Sequence, residues 1–259
     1  MASDDAGAAR EQWKTEQLEL KKQLIETDVV QWQLHSGAGG AAASDDTNCK
    51  LLRRVAGVDV SFLKVLYEAF TYVSLPAPYI AGFLAFREVP ALTKLYEDLC
   101  RRRPDLLPDV TLVDGNGVLH PQGFGLASHF GVLESIPTIG VGKTFLHVDG
   151  LTKPDVKGMM AKAREENHDL VKLTGKSGKV WGAALCGTAG VKNPVYVSVG
   201  HMLSLDTSVA IAQACSKFRV PEPIRQADLR SREVIRQWES AGAVETSLDM
   251  FNAYPAPDA

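Results

Sequence analysis

Apolar, β-branched runs alternate with amphipathic segments along most of the 259-residue chain, and this alternation restricts the fold more than any other feature. Strands are predicted at 54–62, 65–75, 109–115, 137–146, 180–187 and 194–200. Helices are predicted at 91–103, 124–136, 204–218 and from Pro223 to Trp238. Strands separated by helices are typical of an α/β domain with a largely parallel sheet. The first two strands follow each other directly, so an antiparallel start is expected and the sheet should be mixed.

Composition divides the chain into four parts. Residues 1–34 contain a predicted N-terminal helix, which the apolar spacing extends over 8–34. Residues 35–50 are small, polar and aperiodic, which predicts a flexible linker. The main domain is expected at 51–240, and the tail at 241–259 is predicted to be disordered.

Charge and cysteine content exclude several classes of protein. No apolar run is long enough to cross a bilayer, and the N-terminus lacks the apolar core of a secretory signal. A net charge of −3 argues mildly against a protein that coats nucleic acid. The four cysteines are widely scattered, which favours reduced thiols in a cytosolic or nuclear protein over disulfides or a zinc site; they are Cys49, Cys100, Cys186 and Cys215.

Three acidic residues lie where an α/β sheet commonly places its functional groups. Asp59 lies inside an apolar strand, Asp114 ends another strand before a glycine-rich turn, and Glu88 lies at the entrance of a helix. Each has a structural alternative, such as a turn, a loop cap or a helix N-terminus. A carboxylate buried in a strand is costly unless it is paired or bound to metal, and hard divalent cations prefer oxygen ligands. The two strand acids together therefore favour a metal site.

Six segments in order resemble the signature blocks of the endonuclease V family, in wording nearer to its eukaryotic members. They are GVDVSF (57–62), PYIAGFLAFREVP (78–90), VDGNGVLHPQGFGLASH (113–129), VGK (141–143), VGHMLSL (199–205) and FRVPEPIRQAD (218–228). The resemblance covers about 51–236 and makes 51–240 a catalytic domain. It implies an RNase H-like fold, a mixed central sheet flanked by helices, which agrees with the α/β pattern.

The resemblance implies a Mg²⁺-dependent phosphodiester hydrolase, with Mn²⁺ as a substitute metal. Its metal ligands match Asp59 and Asp114, and its catalytic residues match Asp59, Glu88, Asp114, Lys143, His201 and Asp228. Lys143 would offset phosphate charge or orient the attacking water, and His201 would contact phosphate or assist proton transfer. Without the family context, Lys143 is more simply a solvated lysine and His201 a hydrogen-bonded loop histidine.

Base recognition is also implied by the resemblance. Tyr79 matches the aromatic wedge, although Ala81 stands where many bacterial members have a second proline. A stacked ring would contribute about 1–3 kcal/mol per base, whereas the simpler alternative is a tyrosine that packs at a helix entrance. The residues that match the hypoxanthine pocket are Gly82, Leu84, Gly115, His120 and Gly125. A snug pocket would exclude the exocyclic amine of guanine.

The expected substrate is inosine-containing single-stranded RNA, with deoxyinosine-containing DNA as a further candidate. The family pattern places cleavage at the second phosphodiester 3′ to the inosine and leaves 3′-hydroxyl and 5′-phosphate ends. The expected location is cytoplasmic, nuclear or both, including the nucleolus, with no membrane partner. One alternative is a catalytically impaired inosine-RNA-binding protein. Another, a small-molecule enzyme with DGNG as a phosphate loop, is disfavoured because GxxxxGK[ST] is absent from the sequence.

The chain is shorter than the family pattern between GVDVSF and PYIAG, where another strand is expected beside the Asp59 strand. Loss of that strand predicts unpaired backbone groups and a loosened geometry around the acids. One repair would fold 65–75 back as an antiparallel partner of 54–62. The connecting residues SFLK contain no glycine, asparagine or proline, so that hairpin is unpromising.

Overall fold

The computed structural model describes residues 2–33, 50–58, 66–71, 80–188, 190–240 and 249–253. The helices are α1 (Ala2–Lys21), α2 (Ala85–Arg102), α3 (Leu126–Glu134), α4 (Lys153–Glu165), α5 (Leu205–Ala214) and α6 (Glu222–Ser240), with a 3₁₀ turn at Pro104–Leu106. The strands are β1 (Trp32–Gln33), β2 (Lys50–Leu51), β3 (Val55–Val58), β4 (Tyr67–Thr71), β5 (Val110–Asp114), β6 (Thr138–Gly142), β7 (Leu170–Thr174), β8 (Val180–Leu185), β9 (Val195–His201) and β10 (Asp249–Ala253). None of the helices in these ranges has the length and apolar character to cross a membrane.

Six strands form the central sheet in the order β3-β5-β6-β9-β8-β7. β3, β5 and β6 are parallel, and the remaining pairs are antiparallel. Side chains alternate across β5: Leu112 packs with the core that includes α5 and Ile224 of α6, whereas Val113 packs with α2 and α3. The sheet is therefore mixed and covered by helices on both faces, which confirms the predicted fold class.

The predicted antiparallel start of the sheet is wrong. Among the described residues, β3 has one strand partner, β5, and the two run parallel. β4 instead pairs with β10 in an antiparallel two-stranded sheet, with Tyr67 opposite Ala253. The antiparallel strands of the central sheet lie at its other end. Residues 249–253 therefore form a strand where the sequence predicts disorder, because β4 offers them an edge.

The N-terminal helix is also shorter than predicted, since α1 ends at Lys21. The next residues are fixed by tertiary hydrogen bonds: the Val29 amide donates to the Met202 carbonyl, and the Ser204 amide donates to Asp28. These contacts with the β9–α5 connection compete successfully with helix continuation. The predicted linker at 35–50 lies outside the described residues apart from Lys50, which begins β2.

A cavity of about 340 Å³ lies beside β3, between β3 and β4 and between α2 and α6. Its walls are largely apolar and include Leu95, Tyr96 and Trp238. Two lining residues each bury a polar atom that has no hydrogen-bond partner, the Tyr67 hydroxyl and Arg230 Nε. Each such atom costs about 1–3 kcal/mol. The described residues bound this space with two strands and two helices, and the loss of a strand beside β3 stays a prediction.

Candidate active site

Asp114 and Lys143 meet at one edge of the sheet. Asp114 ends β5, and Lys143 is the first residue after β6. Because the two strands are parallel, their carboxyl ends lie at the same edge. Lys143 Nζ donates to Asp114 Oδ2 at 2.7 Å, and the two side chains keep 35% and 33% of their surface exposed. The carboxylate therefore retains accessible oxygen for a further partner.

Glu88 approaches the same group from the first turn of α2. Burial raises the pKa of Glu88, the negative charge of Asp114 raises it further, and Arg87 opposes the shift. The two carboxylates are therefore close enough to repel each other across a partly desolvated space. Such a pair attracts positive charge, which the Lys143 ammonium supplies in part.

Two predicted site residues lie outside the described residues. β3 ends at Val58, which is paired with Val113, and Asp59 is the next residue in the chain. Tyr79 immediately precedes Ile80, where the description resumes. Within the described ranges, no group of three or more histidine, cysteine, aspartate or glutamate side chains is arranged to hold a metal ion. Of the predicted acids, Asp59 lies outside the described residues, so the described part of the site contains Glu88, Asp114 and Asp228.

The structure separates His201 from the acid cluster. β9 runs antiparallel to β6, so His201 pairs with Thr138 at the start of β6, whereas Lys143 follows its end. The imidazole is buried, and its Nδ1 accepts a hydrogen bond from the Ile25 amide at 3.2 Å. Burial lowers the pKa of His201, so the ring is neutral at neutral pH. These contacts favour the simpler interpretation, a histidine with a structural hydrogen bond.

Asp228 lies on α6, on the β3 side of the sheet. Pro223 and Ile224 of this helix pack so tightly against Gly57 that a Cβ there would lie 2.6 Å from Pro223 Cβ. The Asp228 carboxylate accepts a hydrogen bond from Arg232 Nη2 at 2.9 Å. The first turn of α6 thus packs against the strand that leads to Asp59, while the described ion-pair partner of Asp228 is a neighbour on its own helix.

Glycines shape the turn that follows Asp114. A Cβ at Gly117 would lie 1.8 Å from the Val199 carbonyl oxygen, and one at Gly125 would lie 2.3 Å from the Asn116 carbonyl oxygen. A Cβ at Gly115 would meet the Leu126 side chain at 3.1 Å. The Gly125 amide donates to the Gly117 carbonyl at 2.9 Å, which closes the turn. The structure therefore gives both glycines a packing role, Gly115 against the Leu126 side chain and Gly125 against the backbone of the turn. Their role in the base pocket stays a prediction.

The predicted pocket residues Gly82 and His120 both lie close to Gln122. Gly82 has a φ of +84°, and a Cβ there would lie 3.4 Å from the Gln122 side-chain amide. The Gln122 backbone amide donates to His120 Nδ1 at 3.4 Å. Burial, assisted by the charge of Lys21, lowers the pKa of His120 to about 4, so the ring is neutral at neutral pH. Leu84 is 42% exposed at the N-terminus of α2.

Three residues beside the predicted pocket are missing from the sequence predictions. The first is Gln122, whose buried Oε1 has no hydrogen-bond partner. The others are Gln17 and Lys21 of α1, which donate hydrogen bonds to backbone carbonyls of the loop that contains Gln122. The four-residue spacing of Gln17 and Lys21 was the available signal. That spacing alone does not identify what a helix face contacts.

The mixed sheet covered by helices on both faces, with Asp114 and Lys143 at the ends of adjacent parallel strands, is consistent with an RNase H-like fold. The family model for endonuclease V matches residues 18–229, which is most of the chain. The mouse endonuclease V is 44% identical over 244 residues, covering 87% of this chain and 69% of the mouse protein. The human endonuclease V is 42% identical over 260 residues, covering 92% and 88%. The chain belongs to the endonuclease V family of nucleases, as the sequence blocks predicted.

Solved structures agree with this assignment. The crystal structure of human endonuclease V superposes with a TM-score of 0.74 at 41% identity, covering 88% of this chain and 99% of the human one. A structure of the Ciona intestinalis enzyme has the same TM-score at 29% identity, covering 89% and 98%. That protein was crystallised with a 23mer DNA that contains an inosine followed by a ribo-adenosine. These neighbours confirm the predicted RNase H-like fold.

Proposed function

We propose that this chain is a Mg²⁺-dependent endonuclease that hydrolyses inosine-containing single-stranded RNA, and also deoxyinosine-containing DNA. Cleavage falls at the second phosphodiester 3′ to the inosine and leaves 3′-hydroxyl and 5′-phosphate ends. The observation that carries this proposal is the Asp114–Lys143 ion pair beside the Glu88 carboxyl at the sheet edge. The proposed setting is the cytoplasm, the nucleus or both, including the nucleolus.

The donor chemistry fits a divalent cation. Asp114 and Glu88 supply carboxylate oxygens, and their mutual repulsion is the unfavourable term that a bound cation removes. Asp59 and Asp114 would hold Mg²⁺ or, as a substitute, Mn²⁺, with Glu88 beside them. When bound, the metal supplies Lewis-acid polarisation of the phosphate, a more acidic water and stabilisation of the leaving oxygen.

The protein's own side chains would position the attacking water and offset the negative charge of the phosphate. Lys143, held by Asp114 at 2.7 Å, places an ammonium where it can orient a water or offset phosphate charge. Burial and the charge of Asp114 raise the pKa of Glu88, and a nearby cation would relieve this unfavourable interaction. The catalytic role of Asp228 rests on the family motif and on its helix packing against β3. His201 is left out of the chemistry because it lies at the opposite strand end.

Base selection is assigned to the pocket between the Gly82 turn and the loop that carries His120. The neutral His120 ring accepts a hydrogen bond from the Gln122 backbone amide at Nδ1. Its proton therefore lies on Nε2, which can donate to a base. Tyr79 would stack on the bases around the displaced inosine. Leu84, Gly115 and Gly125 would complete the pocket. The Ciona complex, with inosine followed by a ribonucleotide, supports both the base and the ribose in this proposal.

Product mapping tests the proposal. End-labelled oligonucleotides with a single inosine, made as RNA and as DNA, are incubated with the protein and Mg²⁺ or with chelator. We expect cutting at the second phosphodiester 3′ to the inosine, with a higher rate for RNA than for DNA and no cutting in chelator. The products should carry 3′-hydroxyl and 5′-phosphate ends, so a ligase can rejoin them. Cutting at random positions would refute inosine-directed cleavage, and products with cyclic phosphates would refute hydrolysis by an attacking water.

A second candidate function is specific binding of inosine-RNA without cleavage. The cavity beside β3 favours it, because β3 leads directly to Asp59 and lacks a described partner on that side. Retained binding of inosine-RNA, with no products at saturating Mg²⁺, would identify this function and exclude the nuclease.

A further inference from the structure

One face of α1 touches both segments that border the proposed base pocket. Trp13, Gln17 and Lys21 recur every four residues, so they lie in a single row along the helix. We call these three residues the α1 row. The family model begins at residue 18, so Trp13 and Gln17 precede the matched region.

Gln17 and Lys21 hold the loop on one side of the pocket. Gln17 is 2% exposed, and its Nε2 donates to the Phe124 carbonyl at 2.7 Å. Lys21 Nζ donates to the Gln122 carbonyl at 2.5 Å. Both acceptors are backbone atoms of the loop that begins at His120. A buried amide donor and a charged ammonium donor on consecutive helical turns therefore fix the backbone of this loop.

Trp13 holds the opposite segment. Its ring stacks on Phe86 with centroids 5.2 Å apart and planes 10° apart, and it contacts Phe83 at 6.4 Å. Phe83 lies between Gly82 and Leu84, and Phe86 lies in the first turn of α2. Phe86 also meets His129 edge-on at 4.8 Å, which ties the segment to α3. The same helix thus fixes the two sides of the pocket relative to each other.

We infer that the α1 row determines base specificity: Gln17 and Lys21 are positioning residues that hold the His120–Gly125 loop at a fixed distance from the Gly82 turn. The inference rests on the proposed function of that pocket. Guanine differs from hypoxanthine by one exocyclic amine, so a rigid wall excludes it and a mobile wall admits it. Lys21 also lies against the loop at Gly123, whose φ is +64° and where a Cβ would lie 2.6 Å from Lys21 Nζ.

The test compares two variants that lose a donor, Gln17→Met and Lys21→Met, with two controls. Lys21→Arg keeps a donor, and Lys14→Met changes an α1 side chain that is 57% exposed. We expect the two donor deletions to raise KM for inosine-RNA about five- to tenfold with kcat changed less than twofold. The inosine-to-guanosine ratio of kcat/KM should fall about tenfold. Lys21→Arg should restore most of the ratio, and Lys14→Met should match the wild type.

A second readout does not depend on nuclease activity. Hydrogen exchange of the Gln122–Gly125 amides should accelerate in Gln17→Met and Lys21→Met, while exchange in β6 and β9 stays slow. If wild-type protein fails to cut inosine-RNA, the proposed function fails, yet faster loop exchange would still show that α1 holds the loop. Unchanged exchange, or a kcat loss with an unchanged base ratio, would overturn the specificity role.

Discussion

Asp114→Asn is expected to reduce cleavage of inosine-RNA by about a thousandfold or more while the protein remains folded. Asparagine has nearly the same shape as aspartate, so the β5 turn is kept. It removes the charge that holds Lys143 at 2.7 Å and the negative charge that raises the pKa of Glu88. The measurement is the single-turnover rate in Mg²⁺, with the melting temperature as the check on folding.

Asp206→Asn is the matched control for that substitution. Asp206 is a 78%-exposed carboxylate that pairs with Lys172 on the surface of α5, away from the sheet edge. A surface ion pair contributes about 0–1 kcal/mol, so this variant should cut at the wild-type rate. The Glu88 pKa, followed by carboxyl NMR, should fall only in Asp114→Asn. A nearly active Asp114→Asn protein would contradict the assignment of the site.

Gly125→Ala is expected to destabilise the protein by about 2–4 kcal/mol and to reduce cleavage further than the lost stability explains. The added Cβ would lie 2.3 Å from the Asn116 carbonyl oxygen and 2.9 Å from the Gly117 carbonyl oxygen. Both neighbours are backbone atoms of the turn after Asp114, so they cannot rotate away. Relief requires a shift of that turn, which carries the acid with it. Urea unfolding measures the change in stability.

Gly158→Ala provides the contrast. Gly158 lies inside α4, and a Cβ there meets no atom within 4 Å. Alanine is favoured over glycine in a helix interior, so this variant should be more stable by up to about 1 kcal/mol, with unchanged cleavage. Equal stability of the two alanine variants would show that the tight turn relaxes without cost, against its proposed role.

Asp114 is predicted from a local signal, because it ends an apolar strand before a glycine-rich turn. Lys143 is predicted only through the family motif, and it meets Asp114 because β5 and β6 are parallel. The family motif groups His201 with the acid cluster. Because β9 runs antiparallel to β6, His201 instead lies at the opposite strand end, beside Ile25. Sequence order of motifs does not report the direction of a strand.

Long-range pairing accounts for the other differences. The partner of β4 is β10, far along the chain, and nothing in either segment identifies the other before the chain folds. The end of α1 at Lys21 depends on hydrogen bonds from the following residues to the β9–α5 connection. The contacts of Gln17 with Phe124 are equally non-local. Five of the helices overlap segments predicted from the sequence, whereas α4 and the edge strand β7 are missing from the predictions. Helix length and helix contacts depend on the tertiary structure.

We propose this sheet edge as a metal-dependent, inosine-selective nuclease site. The most direct measurement is the single-turnover cleavage rate of two RNAs that differ only by inosine or guanosine at one position, in Mg²⁺ and in chelator. We expect rapid cutting of the inosine RNA in Mg²⁺, with guanosine RNA cut at least about a hundredfold more slowly and no cutting in chelator. Equal rates for the two RNAs, or cutting that persists in chelator, would contradict it.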